Sequence, residues 1–162
     1  MSAGGDVEVE MPVLEYVFRS GDDGYACFRI PSLIKTREGT LLAFAEGRVH
    51  GAGDSGDIDL VMKRSTDGGR TWSALQVIRD IDRTAGNPCP AVDQATGRIV
   101  MVFCEMDHHE HHIMQGKSKR RVFTCYSDDD GVTWSEPVNI TDCVNPEGAY
   151  NWLASGLTQS VM

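Results

Sequence analysis

Nowhere in these 162 residues do about 18 apolar residues run together, the minimum that a membrane-spanning helix needs. The opening stretch, Met1 to Glu10, is acidic and has no apolar centre, so it does not read as a secretory leader. Basic residues are scarce: 15 Lys and Arg stand against 24 Asp and Glu, for a net charge of −9. With no basic stripe, a general nucleic-acid role is excluded. The basic run Lys117-Ser118-Lys119-Arg120-Arg121 leads straight into a strand-like segment and reads as a solvated strand end. The five cysteines (Cys27, Cys89, Cys104, Cys125, Cys143) are odd in number and lack Cys-x-x-Cys spacing, which argues against a disulfide framework and a zinc ribbon. Four lie in or beside strand runs, as buried free thiols do. They favour a reducing, cytoplasmic setting but leave the compartment open, with lysosomal or extracellular residence as the alternatives for a longer chain. No helical 3.6-residue periodicity is sustained over a useful length.

What the chain does have is a repeat. Ser65-Thr66-Asp67-Gly68-Gly69-Arg70-Thr71-Trp72 and Ser127-Asp128-Asp129-Asp130-Gly131-Val132-Thr133-Trp134 share the pattern S-x-D-x-G-x-T-W. Each box reads as a tight hairpin turn. Ser and Asp side chains can hold backbone N–H groups, Gly supplies a positive φ, and Trp opens the next strand with a large ring to bury. On this reading Ser65, Asp67, Gly69, Thr71, Trp72 and Ser127, Asp129, Gly131, Thr133, Trp134 are structural, and the two Asp are turn locks rather than catalytic acids. A strand-like run precedes each box, Ile58–Met62 and Val122–Tyr126, and a short one follows, Leu75–Ile78 and Pro137–Ile140.

Upstream the repeat continues. Pro31-Ser32-Leu33-Ile34 matches Pro90-Ala91-Val92-Asp93, and Leu41–Glu46 matches Ile99–Glu105. One unit is therefore strand, turn, strand, long loop, strand, box, strand. Four antiparallel strands in one repeat predict a β-propeller blade, with a β-sandwich of two similar hairpins as the alternative. The fold expected is all-β, a partial six-bladed propeller. Its blade-like repeats span about 25–80 and 86–141, after a leading segment 1–15 and before the start of a third blade in 142–162. Propellers close with about 4–8 blades, so the chain reads as the N-terminal part of a longer domain.

Two segments carry chemistry. Phe28-Arg29-Ile30-Pro31 puts an Arg on an inner strand, where its guanidinium must meet an anion or be costly to bury. Glu46-Gly47-Arg48 then leads into the Gly- and Asp-rich stretch Val49–Asp59, a loop able to close over a substrate. Asp54, Asp57 and Asp59 are its candidate acids; Asp59 alternates with Ile58 and Leu60 in a strand and so should face a neighbour.

Phe-Arg-Ile-Pro followed by two boxes, with Asn87-Pro88-Cys89-Pro90 between, resembles the exo-α-sialidases (neuraminidases) of the bacterial and animal type. The likeness covers about Tyr25 to Ile140. It implies an enzyme that removes terminal sialic acid from glycoproteins, glycolipids (gangliosides among them) and oligosaccharides, with a sialylated glycan as partner and neither metal nor cofactor in its chemistry. It implies that Arg29 is the first of three arginines clamping the substrate carboxylate, that Arg48 sits beside C4 of the sugar, and that Asp54 is the catalytic acid/base. Asn87 would help shape the N-acyl pocket; a strand start stiffened by two prolines is the alternative. The two further clamp arginines, the Tyr nucleophile and its Glu partner have no matching motif here, so this chain alone is expected not to turn over. The competing function is a non-catalytic Asp-box propeller that binds carbohydrate or acts as a scaffold. His108-His109-Glu110-His111-His112 reads as a solvated loop at the pocket rim, since adjacent residues point apart and no zinc spacing is present.

Overall fold

The computed structural model describes residues 15–148 and 150. Among them the chain forms β1 (Cys27–Lys35), β2 (Leu41–Arg48), β3 (Ile58–Ser65), β4 (Gln76–Arg79), β5 (Thr84–Val92), β6 (Ile99–Met106), α1 (Glu110–Met114), β7 (Arg120–Ser127), β8 (Val138–Asn139) and α2 (Thr141–Val144). Strands β1 to β4 pair in antiparallel order as one unit, and β5 to β8 as a second. The units meet where Ile58 of β3 and Thr84 of β5 pair in parallel. This is the arrangement of consecutive propeller blades, each with its first strand innermost. The expected third-blade opening, Asn151–Gly156, lies outside the described residues.

Alternation along the strands makes the core. Leu42 and Phe44 of β2, with Leu60 and Met62 of β3, point to one face of the first unit. There they pack on Val92, Ile99, Met101 and Phe103 of the second. Phe44, Phe103 and Leu42 are fully buried, each contributing roughly 1.5–3 kcal/mol of transfer free energy. The opposite face carries Ala45 and Val61, with Tyr25, Phe28 and Phe18 against them.

The boxes are turns of one design. Ser65 Oγ donates to Asp67 Oδ1 at 2.8 Å and accepts from Gly69 N at 2.8 Å. Asp67 accepts from Thr71 N at 3.0 Å and from Thr71 Oγ1 at 2.6 Å. Ser127, Asp129, Gly131 and Thr133 repeat these contacts. Gly69 and Gly131 have φ of 91° and 78°, where a side chain would be strained. Trp134 sets its ring edge-on to Phe44 at 5.9 Å, so the second box helps seal the seam between units; Trp72 is half-buried. Asp130 adds a polar tie across that seam, accepting from Thr40 Oγ1 and Arg64 Nη2 of the first unit.

Three expectations need correction. Pro31 corresponds to Pro88, not to Pro90. Each innermost strand has a bulge, between Arg29 and Ser32 in β1 and between Gly86 and Cys89 in β5. At each bulge a residue with left-handed φ precedes the proline: Ile30 at 52° and Asn87 at 59°. Arg29 is therefore matched by Gly86. Second, the His-rich segment is not all loop: residues 110–114 form α1, anchored by fully buried Ile113, with the His109 side chain accepting from His111 N. Third, Arg120 is not solvated. It is buried, and its Nη2 donates to Asn87 Oδ1 at 2.8 Å.

Candidate active site

The segment from Arg48 to Ile58 folds back over the start of β1. Arg48, at the end of β2, is 3% exposed. Its Nη1 donates to the backbone oxygens of Ala52 and Gly53 at 2.8 Å each, so one guanidinium shapes the turn of the loop. The same nitrogen reaches Asp54 Oδ1 at 2.8 Å. Arg29, one strand inward, donates to Ala52 O at 3.1 Å and to Asp54 Oδ1 at 2.6 Å. The sequence reading supposed a buried Arg29; its side chain is 41% exposed, and its present anion is Asp54. The structure thus brings Arg29, Arg48 and Asp54 together on a single carboxylate oxygen.

Beneath them lies Glu46, which the sequence places in the segment before the loop without giving it a role. It is 3% exposed and accepts from Arg48 Nε at 3.1 Å and from Arg48 Nη2. Its other oxygen accepts from the backbone N of Asn87 at 2.9 Å. The bulge turns that N–H toward it. Gly86 makes room, since a Cβ there would stand 2.5 Å from Glu46 Oε1. The second unit's bulge, with Asn87 held by Arg120, therefore buttresses Arg48 through Glu46. A buried carboxylate paired this closely is costly to expose by removing its partner.

Asp54 itself is open to solvent, with 63% of its side chain exposed. The hydrogen bond from Arg48, and then the charges of Arg48 and Arg29, hold its carboxyl below the usual carboxylate range. In this state it is ionised and is not a proton donor at neutral pH. Asp57 is half-buried further along the loop. Asp59 is buried and turned away from the arginines, with Tyr25 Oη donating to its Oδ2 at 2.6 Å. Burial pushes the Asp59 carboxyl up to about 6, against the pull of the Tyr25 hydroxyl and with help from Asp80, Asp57 and Asp82. The Tyr25 hydroxyl is raised in turn, by burial first and then by Asp59.

Beside the loop, between His50 and Asp57 on one wall and His108 and His112 of the second unit on the other, lies an open polar cavity of about 480 Å³. Its histidines do not converge on a common point: among the described residues the group able to surround an ion is Asp57, Asp59 and Asp80.

The comparisons with known proteins agree with this architecture. A BNR repeat-like domain matches residues 39–157. An exo-alpha-sialidase of Arthroderma benhamiae is 35% identical over 156 residues, which cover 82% of this chain and 37% of that protein. A sialidase of Paraclostridium sordellii is 34% identical over 161 residues, covering 89% and 40%. Among solved structures, a Hadza microbial sialidase superposes with a TM-score of 0.70 at 30% identity, over 83% of this chain and 31% of that one. The chain spans about two-fifths of the length of these curated relatives. With its paired box turns and blade-like strand order, this chain belongs to the BNR-repeat sialidase family, whose fold is a β-propeller.

Proposed function

We propose that this chain supplies the acid/base side of an exo-α-sialidase site, which hydrolyses terminal sialic acid from glycoproteins, gangliosides and oligosaccharides with retention at the anomeric carbon. The observation that carries the reading is the convergence of Arg29 and Arg48 on Asp54. A guanidinium held at 2.6 Å from a loop carboxylate is a site preset for an anion of that kind. In this reading the substrate carboxylate takes Arg29 from Asp54. Losing one cationic partner, and losing water as the sugar covers it, lifts the Asp54 carboxyl toward the protonated state. Asp54 then gives its proton to the leaving oxygen and afterwards takes one from water. Arg29 stays on the substrate carboxylate, beside the centre where positive charge develops. Arg48 keeps the loop in place beneath the sugar, and Asn87, fixed by Arg120, borders the N-acyl side. The nucleophile on the other face is a Tyr, because a carboxylate approaching an anomeric carbon that bears a carboxylate would be repelled.

The test is a sialyllactose assay followed by proton NMR, with this chain carried in a polypeptide of its relatives' length. Release of sialic acid first as the α anomer is expected. Release as the β anomer contradicts the retaining route. Binding of sialosides without release favours a carbohydrate-binding propeller instead.

A further inference from the structure

Three carboxylates gather on the far side of β3 from Arg48. Asp57 comes from the end of the Asp54 loop, Asp59 from β3, and Asp80 from the residue after β4, which lies beside Asp59 because Leu60 pairs with Arg79. One oxygen of each lies within 4.8 Å of the other two. Among the described residues no Lys, Arg or His forms an ion pair with any of the three. Asp59 is 5% exposed, and only one of its oxygens is satisfied: Oδ2 accepts from Tyr25, while Oδ1 is buried with no hydrogen-bond partner. Carboxylates gathered around a buried one that keeps an unpartnered oxygen are unfavourable unless a cation joins them.

We propose that Asp57, Asp59 and Asp80 bind a divalent cation of the calcium class, and that the ion fastens the Asp54 loop to the first unit. The donors are all oxygen, which selects hard cations over zinc or copper. Oxygens on opposite sides of Ca2+, each about 2.3–2.6 Å from it, stand up to about 5 Å apart; around the smaller, stricter Mg2+ the same distance is nearer about 4 Å. Three carboxylate oxygens within 4.8 Å of one another fit around such an ion. Its role is positional. Asp57 follows Asp54 closely in sequence, so an ion shared with β3 and the end of β4 fixes one side of the loop whose other side is fixed by Arg48. The ion takes no part in proton transfer, and the proposal does not depend on the sialidase reading.

Thermal unfolding of the chain in EDTA and in 2 mM CaCl2 provides the test, together with Tb3+ luminescence excited through the tyrosine that touches Asp59. Calcium should raise Tm by several degrees, more than Mg2+ does, and should displace Tb3+. Asp80→Asn, at an exposed position, and Asp57→Asn should each abolish both effects, while Glu38→Gln at a distant turn keeps them. A Tm indifferent to millimolar calcium overturns the proposal, as does a shift or a Tb3+ signal that Asp80→Asn leaves intact. Neither readout involves sialoside turnover, so either failure leaves the assignment of Asp54 untouched.

Discussion

Asp54 Oδ1 lies 2.6 Å from Nη1 of Arg29, so the carboxylate of the protein's own loop occupies the place proposed for the carboxylate of the substrate. On the proposed reading the pair opens before a sialoside binds, and opening it changes the acid. The free-protein carboxyl is held low, chiefly by Arg48 and then by Arg29. A group required in its protonated form loses activity as pH rises through its pKa. The alkaline fall of kcat/KM, which reports the free protein, should therefore lie at lower pH than that of kcat, which reports the complex. Coincident limbs would show that substrate leaves the Arg29–Asp54 pair closed.

Arg29→Lys should raise KM by about tenfold or more with a smaller change in kcat, because a point charge cannot grip a carboxylate through two parallel hydrogen bonds. Steady-state kinetics on sialyllactose measure it. Unchanged constants would remove Arg29 from the carboxylate clamp.

Gly86→Ala tests the buttress. The new Cβ would press on Glu46 Oε1 and push that side chain off Arg48 and the Asn87 amide. A loss of about 1–3 kcal/mol of unfolding free energy, read from denaturant titration, is expected, typical of overpacking at a site with no slack. Arg48→Met should cost about 3–5 kcal/mol, since it leaves the buried Glu46 carboxylate without its cationic partner. A neutral effect of both would mean that Glu46 relaxes into solvent.

The second box sets an acid limit. Asp129 is held down at about 2 by Thr133, whose hydroxyl and backbone N–H it accepts. Its folded pKa lies below the ordinary value near 3.8, so its contribution is complete above about pH 4 and fades as pH falls through about 2. Asp129→Ala should lower Tm at pH 7 by roughly 5 °C and flatten the dependence of Tm on pH in that acid window. Equal acid sensitivity in both proteins would assign the limit to other carboxylates.

Thiol reactivity should follow burial. Cys104 and Cys125 are shielded, and burial pushes the Cys125 thiol up to about 11. Cys143 is exposed. Iodoacetamide under native conditions should label Cys143 first and leave Cys104 and Cys125 unmodified, as peptide mass spectrometry would record. Early labelling of Cys125 would mean that the seam between the units opens.

The fold class was legible because its signals are local. The box turn is specified within eight residues, and the period-2 alternation of Leu42, Phe44, Leu60 and Met62 marks which face is buried. The repeat's register was not, because it turns on two bulges. A left-handed Ile30 leaves no trace in sequence, since Ile is among the residues least expected there, and two prolines near Asn87 offered rival alignments. The meeting of Arg29, Arg48 and Asp54 follows from motif order along adjoining strands. Glu46 and Arg120 acquire their positions from contacts between units, which no local pattern encodes. Arg120 also sits in a basic run that looks like solvated surface.

The most direct test of the proposed chemistry compares leaving groups in Asp54→Ala, carried in a polypeptide of the relatives' length. If Asp54 protonates the departing oxygen, turnover of sialyllactose should fall by about 100-fold or more, while an activated aryl sialoside, which needs little protonation, should lose far less. Equal losses on the two substrates would contradict the assignment of Asp54 as the acid.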